Sequence, residues 1–333
     1  MWWGGRPRHC LKMGPEALVW AQLGRGWTGR RIDRCVVRPL DPDIIRVSPT
    51  EPNVLQPATI QEQVRLMTAP TRGHRPAGRS GGSGFPIPIM LLLPDVCVRT
   101  AVFDLDRIPR RREERDALVR WRFGQDHLFP LTEAKVVYQL LPGGGSNNSG
   151  ERTSVLAAAI HQAVLEQYEA LCVAVQLVPV AITTPSFQLC DLWMHSRPAE
   201  PRGQSSFDAL WISLLDQSFS VLGFRQGRPV FTRSKVLPPT NVTGSGLTAA
   251  QRAWIVRESI VSMEICRETV PEESVKRVVL ASGEPEPELV RELGVSLDAE
   301  VEPLEWSLFR RLGRTKRMQQ LPLCAMPAVA GLY

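Results

Sequence analysis

Asp208 to Arg233 reads DALWISLLDQSFSVLGFRQGRPVFTR, and its alternation of apolar runs and turn residues decides the fold class. Two extended segments, Ala209–Leu214 and Ser218–Arg225, turn at Asp216-Gln217. Gln226-Gly227 then turns the chain into a third strand, Pro229–Arg233. Further upstream the pattern recurs. Residues 15–48 read as a second meander, with extended Ala17–Leu23, Trp27-Thr28, Arg34–Arg38 and Ile44–Val47 and glycines 24, 26 and 29 at turns. After each meander strands and helices alternate, which is a mixed α/β pattern in two halves.

A helix follows the first meander, with Thr59 as its expected N-cap, Glu62 three residues on, and apolar Ile60, Val64, Leu66 and Met67. Strands are expected over 87–93, 96–104, 133–141, 155–160, 178–183 and 277–281. Helices are expected over 111–122 (Ala117, Leu118 and Trp121 on the apolar face), 163–171, 187–194, 249–269 and 286–293. Residues 71–84 and 143–150 are loops by composition, and 197–206 is a linker between the halves.

Composition narrows the function classes. At 333 residues, 43% apolar and 22% charged, the chain is an ordinary globular protein with room for about two domains. Forty Lys+Arg against 34 Asp+Glu give a net +6, too mild to argue for nucleic acid. Seven scattered cysteines without a C-x-x-C pair suggest buried thiols in a reducing compartment rather than zinc or disulfides. The longest apolar run, 85–98, is broken by three prolines and falls short of the ~20 residues a membrane helix needs. These features predict a cytoplasmic protein that reaches a membrane only through a partner.

Several motifs are decoys. Gly24 to Gly29 spells G-x-G-x-x-G, but the following segment is strand-like and basic, so the run reads as a hairpin turn. The five histidines (9, 74, 127, 161, 195) lack metal-ligand spacing and are expected to be solvated or structural. Asn241-Val242-Thr243 is a glycosylation sequon by pattern only. Basic runs lie at 107–122, where Glu113, Glu114 and Asp116 interleave, and at 310–317, which has no acidic residue and could face a lipid or a partner.

The 208–233 meander, ending in Gly-Arg-Pro-Val-Phe-Thr-Arg, resembles the opening of the second half of PilM proteins, actin-like cytoplasmic components of the type IV pilus machine. Other segments match in the same order. They include Leu92-Leu93-Pro94-Asp95-Val96, Ile108-Pro109, His127-Leu128-Phe129-Pro130, Val137-Tyr138-Gln139-Leu140-Leu141 and the closing Pro327-Ala328-Val329-Ala330-Gly331-Leu332. The resemblance covers roughly residues 12–333 and implies an actin-like (ASKHA) duplicated α/β fold. In that fold, 1–93 with 176–200 form the first core, 94–175 an inserted subdomain, and 205–333 the second half, with 238–275 as a smaller subdomain.

By the same resemblance, a nucleotide site would lie near Gly14, Glu16, Ser213, Asp216, Ser218 and Gly283. The chain departs from the family there. The first phosphate turn reads Lys12-Met13-Gly14-Pro15-Glu16, where lysine replaces a metal-organising Asp and proline removes an N–H. In the second, Ser213, Leu214 and Leu215 stand where the family has Asp-Ile-Gly, and a Cβ at 215 obstructs a phosphate. Ser282-Gly283 is a remnant of an adenosine-side Ser-Gly-Gly. The expectation is a pseudo-ATPase without cofactor, metal or catalytic residue. It would be a scaffold on the inner-membrane platform of a type IV pilus or related secretion system, with a homo-oligomer as an open option, and would bind no nucleic acid. The family implies a PilN-like membrane partner whose N-terminal peptide lies in a groove between the first core and the inserted subdomain. An active actin-fold ATPase or kinase relative and an FtsA-like filament former are the alternatives.

Overall fold

The computed structural model describes residues 7–24, 31–69, 86–125, 130–141, 153–196, 208–239, 246–268, 275–306 and 321–333. The chain opens with β1 (His9–Met13), β2 (Ala17–Leu23), β3 (Ile32–Pro39), α1 (Pro57–Thr68) and β4 (Ile87–Leu92). Next come β5 (Val98–Leu105), α2 (Arg112–Phe123), β6 (Ala134–Leu140), β7 (Thr153–His161), α3 (Gln162–Ala174), β8 (Leu177–Thr183) and α4 (Pro185–Ser196). The last stretch holds β9 (Ala209–Leu215), β10 (Ser218–Arg225), β11 (Arg228–Val236), α5 (Ala249–Glu268), β12 (Arg277–Ser282), α6 (Pro287–Leu297), β13 (Glu300–Pro303) and α7 (Met326–Ala330). These elements fall into two compact units, one of Met1–Pro94, Ala163–Arg197 and Glu305–Tyr333, the other of Asp95–Gln162 and Pro198–Leu304.

The first unit is built on a five-stranded sheet of order β3-β2-β1-β4-β8. The hairpin-connected strands pair antiparallel, while β1, β4 and β8 run parallel. Its central strands are buried on both faces, which is why Leu11, Val19, Met90 and Leu91 sit in near-continuous apolar runs. α7 packs on β1 and β2 and against α4. Gly331 closes that contact, because a Cβ there would lie 2.7 Å from Cys10 Sγ.

The second unit repeats the plan with β11-β10-β9-β12-β13, a meander followed by two parallel strands. Leu210, Ile212 and Leu214 of β9 meet Ile255 and Met263 of α5 and Leu289 and Leu293 of α6 in one core. α5 lies so close to β10 that a Cβ on Gly223 would come within 2.4 Å of Cys266 Sγ. Five cysteines are buried as the sequence predicts, and burial pushes the thiols of Cys172 and Cys266 up to about 12.

Between β4 and β8 the chain inserts a three-stranded antiparallel sheet, β5-β7-β6. α2 covers one face with Val119 and Phe123 against Leu105, Val155, Ala157 and Ala159. Arg99 donates to the Phe123 carbonyl (3.0 Å) and lays its guanidinium 4.6 Å from that ring's centre. A Thr100–Thr232 hydroxyl contact of 2.8 Å ties β5 to β11, so this sheet belongs to the same unit as the second half.

Several expectations need correction. The apolar face of α2 is centred on Val119 and Phe123, four residues apart, with the expected Leu118 packed beside them; Ala117 and Trp121 lie off it, and Trp121 is 64% exposed. α1 begins with Pro57 at its first turn, and Thr59 turns its hydroxyl to Gln56 instead of capping. Ile44–Val47 forms no strand, only an isolated bridge of Ile45 with Val54. Gln167 of α3 holds that loop by accepting from Asn53 and Val54 N–H groups. Through these bonds α3 lies with the first unit rather than with the inserted sheet. β1, β13 and α7 are absent from the sequence expectation, β1 because a lysine interrupts its apolar run. Trp27-Thr28, the loops 71–84 and 143–150, the linker 197–206, the sequon 241–243 and the basic run 310–317 lie outside the described residues.

Candidate functional site

The residues singled out from sequence sit at two hairpin turns that occupy the same place in the two sheets. In the first unit Gly14, Pro15 and Glu16 join β1 to β2. Gly14 and Pro15 are buried and Glu16 is exposed at the tip. The Gly14 N–H donates to the Ala17 carbonyl at 3.3 Å, and the Glu16 carbonyl accepts from Leu40 at 2.9 Å. Lys12 lies just before this turn, level with Leu92 of the neighbouring parallel strand, and is only 2% exposed. An ammonium group buried this far is stabilised only by compensating polar groups, so Lys12 is a built-in part of this turn's base.

In the second unit the turn is tighter. Asp216 and Gln217 both take left-handed backbone, φ 55° and 57°, the geometry of a two-residue type I′ hairpin. Ser213, Leu215, Asp216 and Ser218 are all buried, and Leu215 is 3% exposed. The Ser218 hydroxyl donates back to the Leu215 carbonyl. Because β9 and β12 run parallel and end together, Gly283 follows directly beside this turn and donates its N–H to Leu214 at 3.3 Å. Ser282 Oγ donates to the Glu284 carbonyl at 2.6 Å, closing the next turn on itself. The structure thus brings Ser213, Asp216, Ser218 and Gly283 to one sheet end, while Gly14 and Glu16 belong to the other unit.

A phosphate cradle needs backbone N–H groups free to converge on an anion, and magnesium needs an accessible carboxylate. At the first turn Pro15 has no N–H, Gly14 uses its own within the turn, and position 12 is a lysine. At the second, position 215 carries a buried leucine side chain rather than a bare backbone. Two buried hydroxyls find no hydrogen-bond partner among the described residues: Ser213 Oγ in this turn and Thr184 Oγ1 at the end of β8. Sequence patterning missed Thr184 and the burial of Lys12. A Thr-Pro step that ends a strand and opens a helix was the available signal for the first.

The histidines that are described have local partners. His9 stacks on Trp20 with ring centres 5.3 Å apart, His161 Nε2 lies 3.3 Å from Glu133, and His195 Nδ1 lies 2.7 Å from the Asp191 carbonyl. His74 and His127 lie outside the described residues. Among the described residues no group of three or more His, Cys, Asp or Glu could hold a metal ion. No helix among them is long and apolar enough to cross a membrane.

No protein-family model matches the chain, and no curated protein matches its sequence. Solved structures do match. The PilM-PilN type IV pilus biogenesis complex is similar with 18% identity and a TM-score of 0.72, over 98% of this chain and 100% of that one. A Bacteroides thetaiotaomicron protein with an actin-like ATPase fold and unknown function is similar with 11% identity and a TM-score of 0.48, over 93% of this chain and 97% of that one. The cytoplasmic domain of EpsL, an inner membrane component of the Vibrio cholerae type II secretion system, gives 9% identity and a TM-score of 0.48, over 95% of this chain and 96% of that one. The first likeness and the repeated sheet order establish the actin-like duplicated fold with an inserted subdomain in its first half.

Proposed function

We propose that the chain is a non-catalytic scaffold, cytoplasmic and peripheral to the inner membrane, on the platform of a type IV pilus or related secretion system. In this reading it holds the cytoplasmic N-terminal peptide of a PilN-like membrane protein. The observation that carries the proposal is the likeness to the PilM-PilN complex over 98% of the chain, and the lysine, proline and leucine at the two turns support the non-catalytic part of it. The inserted sheet is the proposed receiver of the peptide. α2 covers one of its faces, and on the other Val137 stands 57% exposed on β6. An extended peptide gains backbone hydrogen bonds and side-chain pockets from a preformed sheet at modest ordering cost.

Two experiments test this reading. N-terminal peptides of membrane proteins encoded beside this gene, each carrying a photo-crosslinker, should attach within residues 98–161 of the full chain. Cross-links confined to 205–333 would overturn the assignment. Calorimetry with millimolar Mg-ATP should show no hydrolysis and a Kd weaker than about 10 μM, which corresponds to roughly 7 kcal/mol. Tighter binding or turnover would restore the ATPase reading.

A further inference from the structure

The inserted sheet has a second feature that neither nucleotide nor pilus chemistry explains. β6 is an edge strand, hydrogen-bonded to β7 alone among the described strands. Such an edge presents a row of unpaired N–H and C=O groups. Along it runs a groove of about 370 Å³, with Val136–Tyr138 of β6 on one wall and Arg112, Arg115 and Arg120 of α2 on the other.

The groove is strongly basic for its size: three guanidinium groups line it against one carboxylate, Asp116. That carboxylate is already engaged, accepting the Tyr138 hydroxyl at 2.6 Å, while Arg115 Nε donates to the same hydroxyl at 3.0 Å. Arg120 is steadied by the Leu131 carbonyl at 3.1 Å. Arg112 approaches Asp116 only to 3.7 Å, and its side chain is 83% exposed. A guanidinium anchored through one N–H keeps four more to offer, so the network orients these arginines without exhausting them. Among the described residues that line the groove, Asp116 is the one carboxylate against three arginines, so the lining is net positive.

We propose that the β6 edge and the arginine wall of α2 form a docking groove for an extended acidic segment of a partner protein, which adds to the sheet as a fourth strand. The edge selects for alternating backbone donors and acceptors, which a free phosphate or a lipid headgroup does not possess. The arginines select for Asp or Glu side chains at the positions facing α2. The same charges repel a second copy of this basic chain, which favours a foreign strand over self-pairing. This inference uses the β6 edge and α2, shares Val137 with the sheet face proposed for the pilus peptide, and differs from that reading in requiring an acidic strand.

Fluorescence anisotropy on the full chain tests it. The probe is a short, end-blocked, labelled peptide alternating Glu and Val, alongside a Lys-Val counterpart and a copy with alternate backbone nitrogens methylated. The acidic peptide should bind in low salt and the Lys-Val peptide should not. Methylation, or Arg112→Glu or Arg120→Glu in the protein, should each weaken binding by about tenfold. Arg112→Glu should leave the unfolding midpoint unchanged, since that side chain is mostly in solvent. Equal binding of the methylated peptide would overturn strand addition. Full competition by inorganic phosphate or phosphatidylglycerol vesicles would reduce the groove to a generic anion site, and no binding of the Glu-Val peptide would remove it altogether.

Discussion

The β1–β2 turn and the β9–β10 turn hold equivalent places in two sheets of the same strand order, yet they are built in different ways. The first, a three-residue turn, rests on a buried lysine and stiffens the backbone with Pro15. The second is two left-handed residues long and buries Leu215 just before them. One turn is marked by charge and the other by shape. The contrast teaches that a duplicated fold tolerates different cores at its two turns, provided each remains fully packed.

Reversing the buried charge should have the largest effect. Lys12→Glu places a carboxylate at a site adapted to an ammonium group, and a loss of about 4 kcal/mol or more is expected in urea unfolding. An unchanged midpoint would mean that the first turn does not depend on its charge, and the comparison would break there. Leu215→Gly comes next, with a loss of about 2–4 kcal/mol from cavity and backbone terms together. A neutral result would show that shape does not hold the second turn. The smallest effect is a gain. Gln217→Gly relieves a left-handed non-glycine residue and converts the turn to Asp-Gly, so the protein should become about 0.5–1 kcal/mol more stable. The same change at Glu16, which has no left-handed strain, should bring no such gain, and this difference would sharpen the contrast between the turns.

Much of this was legible in the residues. The second meander's turns at Asp216-Gln217 and Gln226-Gly227 fall where the sequence places them, because apolar runs and the turn residues that break them are local signals. α2 is read correctly as a helix, but its apolar face is rotated toward Trp121: tryptophan weighs heavily in any apolar count, whereas the sheet beneath accepts Val119 and Phe123 with Leu118 beside them. β1 is missed because an interior lysine is indistinguishable, by pattern, from a solvated one. Of the candidate site, sequence identifies which residues stand at the two turns. It does not reveal that Ser213 and Thr184 bury hydroxyls or that Lys12 is enclosed.

By itself, then, the sequence determined most of the strands and helices, the two successive meanders and the residues that stand at their turns, since each is encoded in neighbouring residues through apolar runs and turn preference. Only the tertiary structure decided that the inserted sheet packs with the second half, that α3 packs with the first, and that three α2 arginines line the free edge of β6. Those facts depend on contacts between residues far apart in the chain, such as Thr100 with Thr232 and Asn53 with Gln167, and no local pattern encodes which distant surface a buried face will meet.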